Sequence, residues 1–178
     1  MSGSAGLAGP DGFAEFVSAR YSTLVRHGAL LVGDQGYGED LVQDALVKTC
    51  RAWRRLHPDG NPEAYTRRIM VRAAWRAGRR LWRREVPSAA PPEQLDADPY
   101  DGRDLAQSVF AALRALPAQQ RVVLVLRYWA GLSEQEIAAQ LGCSAGTVKS
   151  RASRALATLR SADGPLADAF IPTEADGR

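Results

Sequence analysis

The chain has 178 residues, 46% of them apolar and 24% charged, the make-up of a folded globular protein with room for one large domain or two small ones. No apolar run approaches the ~20 residues of a membrane helix, the start MSGSAGLAGP has no basic segment leading into an apolar one, and Cys50, Cys143, His27 and His57 lack ligand-like spacing. A cytoplasmic protein is therefore expected, with no membrane segment, disulfide framework, metal site or cofactor. The net charge of +3 conceals blocks: +8 over residues 51–85 and +4 over 117–160, against −3 in each of 1–50, 86–116 and 161–178. Two basic blocks split by an acidic one suggest two separate contacts with a polyanion.

Residues 1–10 offer nothing to bury and read as a disordered tail. A first helix is expected from an Asp11 cap to Gly33, with Phe13, Phe16, Val17, Tyr21, Leu24, Val25 and Leu31 as its apolar stripe. Asp34–Gly38 reads as a glycine-rich turn. A second helix, roughly Glu39–Leu56, carries Val42, Ala45, Leu46, Thr49, Trp53 and Leu56 on one face. Its acidic start and basic end suit the helix dipole, which accounts for those charges without any partner.

His57–Gly60 reads as a loop, and Asn61-Pro62-Glu63 as a helix start. The third helix is expected to run to about Glu85. It carries eight arginines (67, 68, 72, 76, 79, 80, 83 and 84) with Tyr65, Trp75 and Trp82. With no acid between Glu63 and Glu85, such a helix repels itself unless a polyanion covers it. The tryptophans either stack on unpaired bases or belong to the core.

Residues 86–103, with four prolines and several acids, read as a flexible linker. Asp104 is expected to cap a fourth helix and Pro117 to open a fifth, Ala118–Trp129. Its VVLVL run has strand propensity, but the helical surroundings favour a buried helix. Leu132–Arg160 then reads as a helix-turn-helix. Ser133 and Glu136 form a capping box, Gly142 stops the first helix, and Ser144 caps the second. That second helix buries Val148, Ala152, Ala155, Leu156 and Leu159. It exposes hydroxyls among Lys149, Arg151, Arg154 and Arg160, as a helix reading a major groove does. Ser161–Arg178 reads as a frayed tail.

The expected architecture is thus all-α, with a three-helix domain over residues 11–85 and a four-helix domain over 104–160. Three stretches carry a resemblance: EDLVQDALVKTCRAW (Glu39–Trp53), the Arg/Trp-rich helix after NPEAY (Asn61–Tyr65), and LPAQQRVVLVLRYWAGLSEQEIAAQLGCSAGTVKSRASRAL (Leu116–Leu156). Together they resemble the two-domain extracytoplasmic-function sigma factors of the sigma-70 family, and in particular the sigma-E-type group common in actinobacteria.

That resemblance implies a partner, the core RNA polymerase, and promoter DNA as ligand. Asp40, Leu41, Gln43 and Asp44 match the segment that grips the β′ coiled coil; the polymerase β flap is the other expected contact. His57, Asp59, Asn61, Tyr65, Arg68, Arg72, Trp75, Arg76, Arg79 and Arg80 fall in the part that melts the −10 element and holds a flipped base. Flipping needs a pocket and a stacking surface. Arg127, Ser144, Thr147, Lys149, Ser150, Arg151, Ser153 and Arg154 fall in the reader of the −35 element. An anti-sigma protein is common in the family. The chain departs from its relatives at Arg72, where many carry Asn, at Gly38, where Ala is common, and in lacking an Asp before the basic end of the third helix.

Other readings are a stand-alone helix-turn-helix regulator of the response-regulator kind and a helical nuclease. The first requires an α/β receiver that residues 1–85 do not suggest. The second requires clustered carboxylates, and Asp40 with Asp44 is a lone pair at a helix start. A plain repressor would need a dimer interface, which no heptad supplies.

Overall fold

The computed structural model describes residues 10–57, 60–84 and 103–161, with backbone alone at 80–84 and 103–106. Of the segments read above as tails and linker, only Pro10, Arg103 and Ser161 at their edges are described, Arg103 as the first residue of a helix; Asp59 of the loop lies outside the described residues. Among the described residues there are seven α-helices: α1 (Phe13–Val32), α2 (Gln35–Leu56), α3 (Pro62–Arg84), α4 (Arg103–Ala115), α5 (Ala118–Leu124), α6 (Glu134–Leu141) and α7 (Ala145–Ser161). There is no strand among the described residues.

In the N-terminal group α1 and α2 form an antiparallel hairpin with α3 laid against it. Gly12, not Asp11, precedes α1, and the Asp11 carbonyl instead accepts a hydrogen bond from the Trp53 indole at 2.8 Å. Gly33 ends α1 in the left-handed conformation, φ +77°, where a side chain is strained. The expected turn over Asp34–Gly38 is already helix. Asp34 is the cap, its carboxylate accepting from the Tyr37 amide at 2.9 Å. Gly38 marks instead a close approach of two helices, for a Cβ there would stand 2.5 Å from the Ala29 nitrogen. Leu24, Leu31, Val42, Met70 and Val71 fill the space between the three helices, each burial contributing about 1.5–3 kcal/mol. Tyr21, expected in the stripe, is exposed. Thr49 and Thr66, both fully buried, share a hydrogen bond of 2.8 Å between α2 and α3.

In the C-terminal group the VVLVL run is helical, as expected, and buried throughout. Its end, Val125–Trp129, widens to a π-helix in which the Ala130 amide reaches the Val125 carbonyl at 3.1 Å. Such an insertion shifts the register of the side chains beyond it. The capping box at Ser133 and Glu136 is complete. Gly142 (φ +67°) ends α6, and Ser144 accepts from the Thr147 amide to start α7. Ile137, Leu141, Val148, Ala152, Ala155 and Leu159 close the pair.

The two groups are in contact. The apolar core continues from one to the other through Trp75, Leu113, Leu116 and Val122, and α5 packs on both α3 and α1. Arg121 fastens the seam. Its guanidinium is buried and donates to the Val32 carbonyl of α1 and the Leu116 carbonyl of its own group. A Cβ at Gly33 would overlap it. Burial, then the neighbouring Arg114, lowers its pKa to about 10, so the charge persists.

Candidate nucleic-acid interface

Three sets of side chains were singled out in the sequence, and the fold presents each differently. On α2, Asp40, Gln43 and Asp44 are exposed and Leu41 is half-buried beside them. Val47, on the same helix, is an exposed apolar residue that the sequence reading passed over, as is Tyr37 in the first turn. An aromatic or β-branched residue outside the apolar stripe was the available signal.

On α3, Arg68, Arg72, Arg76 and Arg79 recur at four, four and three, so they form one exposed row along the helix. Asn61 caps the helix, its side-chain oxygen accepting from the Ala64 amide at 2.9 Å. The Arg68 guanidinium lies 5.9 Å from the Tyr65 ring. Glu63 pairs with Arg67 at 2.5 Å and with Arg20 at 3.2 Å, which relieves some of the repulsion expected on this helix. Asn61, Tyr65, Arg67, Arg68 and buried His27 line a cavity of about 660 Å³. The exposed His57 ring stacks on Trp53 at 5.1 Å. The side chains of Arg80 and Trp82 lie outside those described. Trp75 is 6% exposed and belongs to the core.

On α7, Lys149, Ser153 and Arg154 are exposed, while Thr147, Ser150 and Arg151 are half-buried. The Ser144 and Thr147 hydroxyls are 2.9 Å apart, and Ser150 donates back to the Thr147 carbonyl at 3.0 Å. Arg151 is held twice, donating to Gln119 at 2.8 Å and lying over the Trp75 ring. Burial lowers its pKa, and the Arg154 and Arg79 guanidiniums lower it further. Arg127 pairs with Glu134 at 2.5 Å. Trp75, Arg79, Thr147, Arg151 and Arg154 line a second cavity of about 560 Å³ between the groups. The role of Arg121 was not legible, although an arginine at the head of an apolar run was a hint of a buried cation.

No acidic cluster or His/Cys set able to hold a metal ion occurs among the described residues. No helix among them is long and apolar enough to cross a membrane. What the surface offers is a row of guanidiniums on α3 and a capped, basic α7 placed as the second helix of a helix-turn-helix. Guanidiniums bind phosphate oxygens and guanine edges, and short hydroxyls bind either.

Comparison with known proteins agrees with this chemistry. Residues 16–84 match the model of sigma-70 region 2, and residues 106–159 that of sigma-70 region 4. An RNA polymerase sigma-E factor of Streptomyces coelicolor is 39% identical over 150 residues, covering 83% of this chain and 84% of that one. An extracytoplasmic-function RNA polymerase sigma factor, EcfG of Rhodopseudomonas palustris, is 32% identical over 84% and 83%. Among solved structures, the sigma factor RpoE of Bartonella quintana, in complex with the anti-sigma factor NepR, matches with a TM-score of 0.59. It is 30% identical over 84% of this chain and 94% of that one.

Proposed function

The chain belongs to the sigma-70 family of RNA polymerase sigma factors, in its extracytoplasmic-function group, and from that membership we infer how its surfaces divide the work of promoter recognition. It is a transcription initiation factor, which binds core polymerase and directs it to promoters. The polymerase does the chemistry; this chain lends it a DNA-reading surface, has no catalytic role and acts in the cytoplasm at the nucleoid.

Residues 11–85 are the part that meets the polymerase β′ coiled coil and the −10 element, residues 104–160 the part that meets the −35 element and the β flap, and 86–103 join them. On α2, Asp40, Leu41, Gln43 and Asp44 dock on the polymerase. The Asn61–Tyr65–Arg68 end of α3 takes the melted −10 strand, with Arg72, Arg76 and Arg79 along its phosphates. Lys149, Ser153 and Arg154 of α7 enter the −35 major groove, with Arg127 in support.

The observation that carries this reading is the capped helix-turn-helix with an exposed cationic face, on the same chain as an exposed arginine row. The test is transcription in vitro with purified core polymerase on a pool of promoter fragments. Specific start sites that appear only when this chain is added are the expected outcome. DNA binding without polymerase, and no start sites, would instead make it a stand-alone regulator.

A further inference from the structure

We propose that Glu134 is a positioning residue for the −35 contact: it holds the Arg127 guanidinium by one end, so that Arg127 binds DNA only where the duplex is docked in register. The proposal rests on the sigma-factor reading, in which Arg127 supports the reading helix α7. Arg127 lies in the π-helical stretch Val125–Trp129, and Glu134 is the first residue of α6. The Arg127 Nη1 donates to Glu134 Oε1 at 2.5 Å, and the guanidinium carbon lies 5.8 Å from the centre of the Tyr128 ring. Both side chains of the ion pair are half-buried, 38% and 31% exposed.

Local structure does not require this pairing. An acid in the first turn of a helix suits the dipole, but the dipole calls for no cation on that acid. The cap of α6 is complete without Glu134, because Ser133 and Glu136 satisfy each other. Among the described residues, Lys149 and Arg154, the cations of α7 that enter the groove, pair with no carboxylate. Arg127, the supporting cation, is the one of these three that is held.

The hold has a consequence for DNA binding. A free arginine is a long, mobile cation that takes any phosphate in reach, adding affinity for every duplex and specificity for none. A carboxylate on one end cancels most of that unselective attraction and removes the freedom of the side chain. The guanidinium still has donors to spare, for it carries five N–H groups in a rigid fork. It can keep Glu134 and donate to one phosphate oxygen, at a place set by the end of the π-helix and the start of α6. A duplex out of register puts its phosphate elsewhere and loses the contact. The tether therefore lowers affinity for DNA at large and raises discrimination.

The experiment uses holoenzyme assembled from core polymerase and the full chain, native or Glu134→Gln, with Arg127→Ala and the double variant alongside. The probes are a promoter duplex that the native holoenzyme transcribes and the same duplex with its −35 element scrambled, each titrated over a range of salt. Glu134→Gln leaves the Ser133–Glu136 cap in place and frees Arg127. The scrambled duplex should bind at least about threefold tighter at low salt, with log affinity falling more steeply against log salt, by up to about 0.9, the value of one phosphate contact. The affinity ratio of the two duplexes should fall by about the same factor as the scrambled duplex gains. In the Arg127→Ala background, Glu134→Gln should change neither slope nor ratio, as a residue acting only through Arg127 requires. An unchanged slope and ratio in the single variant would overturn the proposal. So would an effect that persists without Arg127, which would make Glu134 a plain repeller of phosphate. If the native chain directs no transcripts, the sigma reading fails. The salt slope of the free chain on a random-sequence duplex, with and without Glu134→Gln, then still decides whether Glu134 restrains Arg127.

Discussion

Gly28 and Gly38 bring α1 and α2 to backbone contact: a Cβ on Gly28 would stand 2.7 Å from the Gly38 carbonyl oxygen, and one on Gly38 2.5 Å from the Ala29 nitrogen. Both neighbours are backbone, so neither can swing aside. Gly38→Ala gains up to about 1 kcal/mol of helix propensity, but overpacking costs about 1–3 kcal/mol. Net destabilisation is expected, measured by urea unfolding with an unchanged slope. A stabilised variant would show that the hairpin can widen freely.

Arg154 is exposed on α7, with free reach to a base edge. Arg154→Ala should lower discrimination at one −35 position by about 1–3 kcal/mol if the guanidinium grips a guanine in bidentate fashion. Competitive transcription on promoters substituted base by base reads this directly. An unaltered preference at every position would remove Arg154 from the reading set.

Asp44 is exposed on α2 beside Gln43 and Val47. Asp44→Ala should weaken binding to core polymerase by about tenfold, ~1.4 kcal/mol, and leave the choice among promoters unchanged at saturating chain. Fluorescence anisotropy with core polymerase separates the two readouts. A change in promoter choice at saturation would place Asp44 at the DNA instead.

His27 is 4% exposed, and its Nε2 finds no hydrogen-bond partner among the described residues. Burial first, and the Arg67 guanidinium second, push its pKa down to about 4. The unfolded chain takes up this proton near pH 6.5, the folded one only near 4. Between those values the unfolded state binds more protons, so stability falls as pH drops, by at most about 1.4 kcal/mol per pH unit. His27→Leu should flatten this part of the profile of unfolding free energy against pH. Parallel curves for the two proteins would assign the dependence to other groups.

Sequence periodicity and local capping located most of the helices. The Ser133–Glu136 box, Asn61 at the head of α3, and Gly33 and Gly142 at helix ends all act within one turn of the backbone, and all are found as read. The readings that failed were those in which a distant partner decides. Gly38 looked like a turn because glycine permits one, yet its reason is α1 lying against it. Asp11 looked like a cap, and its carbonyl serves Trp53, 42 residues on.

The same division holds for the surfaces. The sequence by itself determined the all-helical fold, the helix-turn-helix and the two basic helices, because side-chain spacing on a helix follows from 3.6 residues per turn. Only the tertiary structure decided that Trp75 is core, that Arg121 is a buried tie, and that Arg151 faces α3. These depend on how two helical groups meet, and that meeting is a matter of shape across the seam, which no periodicity within either group encodes.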